Sequence, residues 1–340
     1  MLRWLRCLHR PRLVIWRSGS SYVARMRYLV KLKGDDEACS AALRAGRLFL
    51  YHKLRPLLMR AEGGRHRPLD MKTTDVEALL EKLGQQKERV RESVLVGCTE
   101  TWVPQFCLDV GTLEKCAVER LCGGEFVDLR KAFFLLRGHD VPHMARGRAL
   151  LHWHQTHGFC SASGEPTVKN QAGSQRVCQG SGHTYYPQMA PVLIVLVSDG
   201  SRCLLGRQAA FPRDMYSALA GFCDMGETME ETLRREVAEE VGLEVETFQF
   251  ASTQHWPYPQ SSFMLACHAT VNPQRCQVSV DKVELEDARW FTLEEIQEAL
   301  RRASAPQAPG GGPPVFWLPP SFTIAHQLVQ EWVRQQTAGV

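Results

Sequence analysis

Long apolar runs are absent from this 340-residue sequence. The densest, Pro191 to Val197, has the length of one β-strand, whereas a helix crossing a bilayer needs about 20 apolar residues, so no membrane partner is expected. Acidic side chains are missing from the start of the chain: nine Lys or Arg precede Gly34, and Asp35 is the first acid. Setting that head aside leaves 32 basic against 37 acidic residues, a net of −5, although the whole chain carries a formal +4. The body therefore has no basic footprint, and nucleic acid is not an expected partner. Cysteine is present but never dense. Its twelve copies are scattered, which excludes a small disulfide scaffold and fits a reducing compartment.

The length predicts two or three domains, and 44% apolar with 23% charged residues is the balance of a chain that can bury a core. The head sets Arg3, Arg6, Arg10, Arg12, Arg17, Arg25 and Arg27 among Leu, Trp, Val and Ser. That is the composition of a mitochondrial transit peptide, without the apolar core of a secretory signal. A disordered basic terminus is the plainer alternative; we expect a transit segment over residues 1–32 and a mitochondrial protein. From Lys33 to Trp153, apolar runs at Leu48–Tyr51, Val94–Cys98 and Phe133–Leu136 alternate with turns. Residues 75–83 and 112–121 read as short helices, and 130–151 as a helix pair broken near Pro142. This predicts an N-terminal mixed α/β domain over 33–153, with a dimerising or substrate-shaping role. His152, His154 and His157 have no matching ligand spacing after them, so they read as satisfied or exposed side chains rather than a metal site.

The most informative stretch runs from Gly221 to Leu243. From Thr228 onward it lacks Pro, holds mostly good helix formers, and has Gly242 where a left-handed residue would end a helix. On such a helix Met229, Leu233, Val237 and Val241 form one face that can pack on a sheet, while Glu236, Glu239 and Glu240 crowd another. Like charges at these spacings repel by a few tenths of a kcal/mol per pair, roughly, so packing alone does not explain them and something positive must offset them. A solvated acidic face is the plain alternative. Hard divalent cations prefer oxygen ligands and are shared between carboxylates, water and substrate phosphate, which makes a cation site the sharper reading.

The pattern is longer than three acids. Gly221, Glu227, Arg235-Glu236, Val237, Glu239-Glu240, Gly242 and Leu243 fall in the frame G-x5-E-x7-R-E-U-x-E-E-x-G-U, with U aliphatic. In this the chain resembles a Nudix hydrolase. The resemblance implies a loop, helix and loop whose carboxylates hold Mg²⁺ or Mn²⁺ against a diphosphate joined to a nucleoside. Carried over position by position, Glu236 and Glu240 are metal ligands, Glu239 or Glu240 activates water, Arg235 orients carboxylates, and Ala220 contributes its main-chain oxygen to the metal. Glu284 matches a distal metal carboxylate, with Glu286 as the alternative register. Tyr186, Phe222 and Ala325 match positions near the bound nucleotide; the two aromatic rings could equally be core.

Two further segments narrow the resemblance. Cys160-Ser161-Ala162-Ser163 and Cys178-Gln179-Gly180-Ser181 resemble the four-cysteine zinc ribbon that precedes the Nudix domain in NADH pyrophosphatases, but Ser163 and Ser181 stand where the frame has cysteine. A serine hydroxyl is a poor zinc ligand beside a thiolate. With Cys160, Cys178 and at most His183 remaining, zinc is not expected, and an empty knuckle keeping its β shape is. Beyond the box, Thr253-Gln254-His255-Trp256-Pro257-Tyr258-Pro259-Gln260-Ser261 resembles the Ser-Gln-Pro-Trp-Pro-aromatic-Pro-x-Ser loop of the same group. Thr253, His255 and Tyr258 depart from it. By that resemblance Gln254, Trp256, Pro257, Tyr258, Pro259 and Ser261 touch substrate; a rigid surface turn is the alternative.

The expected fold is therefore α/β: a Nudix α/β/α sandwich with a mixed sheet over 189–340, preceded by a degenerate zinc-ribbon-like knuckle over 154–188 and the N-terminal domain. Its strands start at Val192–Val197, turn at Asp199-Gly200 and return over Arg202–Gly206, and an amphipathic helix over Ser321–Gln336 follows the Pro- and Gly-rich stretch Ala303–Pro314. The resemblance implies metal-dependent hydrolysis of the diphosphate of NADH or NADPH by a homodimer. Rivals are another nucleoside diphosphate such as ADP-ribose, an NAD cap on RNA, a silent nucleotide-binding sensor, and a zinc-ribbon interaction protein.

Overall fold

The computed structural model describes residues 19–61, 65–304 and 316–338. The start of the expected transit segment and most of the Pro- and Gly-rich stretch lie outside the described residues. In chain order the first part runs α1 (Gly19–Gly34), α2 (Asp36–Arg44), β1 (Arg47–His52), β2 (Arg55–Arg60), β3 (His66–Pro68), β4 (Asp70–Lys72), α3 (Thr73–Lys82), β5 (Val94–Cys98), β6 (Pro104–Asp109), α4 (Lys115–Cys122), β7 (Glu125–Phe126), α5 (Leu129–Leu135) and α6 (Val141–Thr156). The knuckle holds β8 (Thr167–Lys169), β9 (Arg176–Cys178) and β10 (Thr184–Tyr185). The last part holds β11 (Ala190–Ser198), β12 (Cys203–Arg207), β13 (Leu219–Phe222), α7 (Met229–Val241), β14 (Val245–Trp256), β15 (Ser262–Val271), β16 (Asp287–Phe291), α8 (Leu293–Ser304) and α9 (Ile324–Ala338).

The C-terminal sheet is ordered β14-β15-β11-β12-β16, with β13 also paired to β11. Strand β11 is parallel to β15 and antiparallel to β12 and β13. Its run of apolar residues serves both faces, as expected of a central strand covered on two sides. Leu193, Val195 and Val197 pack with Leu233, Val237 and Val241 of α7, while Ile194 and Leu196 pack with Ile296 of α8 and Leu328, Val329 and Trp332 of α9. This is the expected α/β/α sandwich, and the apolar face of the box helix is the one that meets the sheet.

The N-terminal sheet repeats that plan. Its order is β3-β2-β1-β6-β5, with β4 paired to β1 and β7 to β2. Strand β1 is parallel to β6 and antiparallel to β2 and β4, as β11 is to β15, β12 and β13. Helix α3 follows β4 as α7 follows β13, and β7 returns to β2 as β16 returns to β12. Sequence reading gave only a mixed α/β class here; the repeated topology was hidden because no motif marks it. Helix α1 overlaps the expected transit segment, and its Leu32 is buried with Cys39 and Leu43 in the N-terminal core.

Helices α5 and α6 join the two halves. Pro142 sits in the first turn of α6, where its missing N–H costs no helical bond. Phe133 of α5 packs its ring 5.1 Å from Trp256, 5.3 Å from Phe322 and 6.4 Å from Tyr258, and these aromatics belong to one buried cluster with Leu129, Met144 and Leu151. His154 on α6 bonds the Gly173 carbonyl through Nε2 and receives Arg176 at Nδ1, and His157 bonds the Trp153 carbonyl, so both are satisfied within the fold.

Candidate active site

The site is built on α7. Thr228 caps it: the Glu231 N–H donates to Thr228 Oγ1, and the Thr228 N–H donates to the Glu231 carboxylate, a reciprocal capping box. Gly242 ends it in the left-handed conformation, φ 67°, its N–H bonded to the Ala238 carbonyl. Gly221 on β13 is needed for a different reason, close approach. A Cβ there would lie 1.9 Å from the Glu236 carboxyl carbon, so only glycine lets that carboxylate settle against the strand.

Arg235 is the positive charge the acidic face required. It holds Glu227 bidentately, at 2.6 Å from Nε and 2.9 Å from Nη2, and donates from Nη1 to Glu236 at 2.9 Å and to Glu239 at 2.8 Å. Its fifth contact is the Phe222 carbonyl at 2.9 Å. The pairing with Arg235 holds Glu227 down at about 2, helped by the Asp224 N–H. Glu227 was legible as a fixed position of the motif, yet its role as the anchor of Arg235 was not.

Glu240 is in the opposite situation. It is 2% exposed, one carboxylate oxygen has no hydrogen-bond partner among the described residues, and no guanidinium reaches it. Burial, then the charges of Glu236, Glu284 and Glu239, push it up to about 8. Glu236 is raised too, by burial, against the pull of Arg235. Among the described residues, the one group of three side chains with metal-capable atoms all within 4.8 Å of one another is Glu236, Glu240 and Glu284. A buried orphan oxygen, two mutually repelling neighbours and a glycine cradle are what a hard divalent cation would resolve, so these residues fit Mg²⁺ or Mn²⁺. Glu286 does not join them; it pairs with Arg207 at 2.9 Å. Glu239 lies outside the trio, exposed, with Arg235 on one oxygen.

Glu240 lines a cleft of about 640 Å³ between the β13 end of the sheet, the loop before α9, and α5 of the N-terminal domain. Ala220, Phe222, Gln254, Trp256, Tyr258, Pro259 and Ala325 line the same cleft. Phe222 is 51% exposed and free to meet a ring, whereas Ala325 is buried in the core of the sheet's other face. Pro257 and Ser261, expected from the loop to touch substrate, are not among the residues that line the cleft. Pro257 is buried and gives its carbonyl to Arg148 at 2.6 Å; Ser261 pairs with His255 at 2.9 Å. Both shape the turn rather than reach into the cleft. Gln254 is a clamp as well, donating to the Phe322 carbonyl and accepting from the Ile324 N–H, so it sets the start of α9. Tyr186, 60% exposed, also stands off the cleft wall. Sequence reading missed Arg130, Phe133 and Phe134 of α5, which enter the cleft from far away in the chain; the apolar run 133–136 was their sole signal.

In the knuckle β8, β9 and β10 form a three-stranded antiparallel sheet. The two serines are engaged: Ser163 donates to Glu165 at 2.9 Å, and Ser181 pairs with His183 at 2.9 Å. Cys178 lies 3.6 Å from the same Glu165 oxygen, and a Cβ on Gly180 would strike that carboxylate. Hydroxyls of Ser163 and Tyr185 pull the Cys160 thiol down to about 5, a stabilisation of thiolate by hydrogen bonds.

Comparison with known proteins follows this division. Residues 187–310 match the NUDIX domain, 45–153 the NADH pyrophosphatase-like rudimentary NUDIX domain, and 155–186 the NADH pyrophosphatase zinc ribbon domain. The human protein named NAD(P)H pyrophosphatase NUDT13, mitochondrial, is 49% identical over 337 residues, covering 95% of this chain and 94% of that one; its mouse counterpart of the same name is 50% identical over 334 residues with the same coverage. The human protein named NAD-capped RNA hydrolase NUDT12 is 39% identical over 213 residues, 60% of this chain and 44% of its own length. Likeness at that level, carried from end to end and through all three segments, makes this chain a member of the NADH pyrophosphatase branch of the Nudix hydrolases.

Proposed function

We propose that this protein is a mitochondrial, divalent-cation-dependent hydrolase that splits the diphosphate of NADH and NADPH into reduced nicotinamide mononucleotide and AMP or 2′-phospho-AMP. The observation that carries the reading is the trio Glu236, Glu240 and Glu284 with its orphaned buried oxygen, set where Glu240 lines a cleft of about 640 Å³. Glu236 and Glu240, with Glu284 and the main-chain oxygen of Ala220, would hold Mg²⁺ or Mn²⁺. A cation held there neutralises phosphate charge and makes water a better nucleophile at neutral pH. The chain's own residues do the rest. Arg235 fixes Glu236 and Glu239 so that neither turns away, Glu239 keeps one oxygen free to accept the proton of the attacking water, and Phe222 offers a ring to a base. Water adds to phosphorus, the bridging oxygen departs with its electron pair, and two phosphomonoesters result.

The full-length relatives named for NAD(P)H cleavage and for mitochondria support this substrate and compartment. The knuckle, by its hydrogen-bonded serines, acts without zinc, and a homodimer is the assembly. Incubation with NADH, NADPH, ADP-ribose and NAD-capped RNA in Mg²⁺ or Mn²⁺, followed by chromatography of products, tests the reading. Cleavage of NADH and NADPH that is lost in Glu236→Gln is expected; intact dinucleotide, or a variant as active as the wild type, rejects it. Metal analysis of the purified chain checks the knuckle, and size-exclusion with light scattering the dimer.

A further inference from the structure

The cleft has one carboxylate pole and one cation. Among the described residues lining it, Arg130 is the sole basic side chain, and it comes from α5 rather than from the catalytic domain. Its guanidinium lies 4.2 Å from the centre of the Tyr258 ring, and no carboxylate among the described residues comes within 4.0 Å of it. Arg148 stands over the same ring, also at 4.2 Å, its one bond being to a carbonyl. Neither guanidinium has a carboxylate within 4.0 Å among the described residues, and with Asp128 near enough to act on Arg148 the two groups beside one ring still leave a net positive pole. The Tyr258 ring gives Arg130 a cation–π contact, while its place in the first turn of a helix opposes the helix dipole. A guanidinium held beside a ring makes no hydrogen bond to it, and its N–H donors can bind a phosphate bidentately.

We infer that Arg130 binds the 2′-phosphate of NADPH and sets how well the enzyme uses NADPH relative to NADH. The inference rests on the dinucleotide reading above. The substrate's diphosphate belongs with the carboxylate pole, where a cation would be held, so the anion left for Arg130 is the group that distinguishes the two substrates. NADH presents no charge there and gains nothing from Arg130.

The test compares kcat/KM for NADPH and NADH in the wild type, Arg130→Gln and Arg130→Lys. Arg130→Gln should lower kcat/KM for NADPH about tenfold more than it lowers kcat/KM for NADH, through KM, since a charge-assisted hydrogen bond is worth about a factor of ten or more. Arg130→Lys should recover part of the loss. Equal losses on both substrates would show that Arg130 only supports Tyr258, and no loss, or loss confined to NAD-capped RNA, would equally overturn the assignment. Binding of 2′-phospho-AMP against AMP by calorimetry gives a readout independent of turnover: Arg130→Gln should remove the preference for the 2′-phosphate. If the wild type cleaves neither dinucleotide, the functional reading fails, while the calorimetric comparison still decides the role of Arg130.

Discussion

The two sheets of this protein share one strand order around their central strands β1 and β11 and one hairpin-to-helix sequence, β3 being an extra strand of the N-terminal sheet, and they differ where the chemistry is. In the N-terminal half β4 runs straight into α3, and the buried side of α3 carries Thr73, Val76, Leu79 and Leu80, with no acid among them. In the C-terminal half residues 223–228 separate β13 from α7, and the buried side of α7 includes Glu236 and Glu240. A shared scaffold thus supports one half that packs and one that gathers charge. Site chemistry is grafted on a fold, and the fold alone does not confer it.

The largest expected effects come from breaking that asymmetry. Glu240→Gln should reduce NADH cleavage by about a hundredfold or more, and Gly221→Ala should approach it by displacing the Glu236 carboxylate, while Glu77→Gln on α3 should stay within about twofold; steady-state assays of the three variants decide it. Arg235→Lys cannot reproduce the bidentate hold on Glu227 together with the bonds to Glu236 and Glu239, so a loss of about ten- to a hundredfold is expected with the chain still folded by circular dichroism.

A pH series sharpens the contrast between the two buried-side acids and the one that anchors Arg235. Glu240, raised to about 8, must shed its proton to meet a cation, so metal affinity measured by calorimetry should rise about tenfold per pH unit up to pH 8. In the metal-free protein its contribution to stability is full below the unfolded carboxyl range and is lost as pH rises through 8; melts in a chelator should show it, and added Mn²⁺ should reverse it. Glu227 has the opposite sign. Held at about 2 by Arg235, it stabilises the fold above the unfolded range and stops doing so as pH falls toward 2. The smallest effect concerns the caps. Thr228→Ala should cost about 1 kcal/mol, whereas Lys72→Ser, at an N-cap with extended backbone and no side-chain bond, should stabilise α3 by up to about 1 kcal/mol; shifts in Tm of opposite sign are the readout.

The catalytic half was legible because its chemistry demands fixed spacing. Gly221, Glu227, Arg235, Glu236 and Glu240 must coincide in space through one strand, one loop and one helix, so the constraint is written locally. Glu284 was legible only to within one alternate register; its carboxylate gathers with Glu236 and Glu240, whereas Glu286 pairs with Arg207. The N-terminal repeat was not legible: hydrophobic packing accepts many residues of similar volume, and short strands such as Asp70–Lys72 carry no distinctive pattern. The loop at 253–261 was legible as a turn, but the partners of its side chains were not. The sequence marks its rigidity, but whether Pro257 and Ser261 face a ligand or the turn depends on Arg148 and His255, residues that no local pattern identifies.

The ring of Phe133 wedged among Trp256, Tyr258 and Phe322 makes the chemically mute half indispensable. Trimming the chain to its motif-bearing portion would strip one wall from the reaction chamber and expose three aromatic faces to water. Loss of the Phe133 ring should therefore read out in assays as an enzymatic defect, although the reacting groups all belong to the other half.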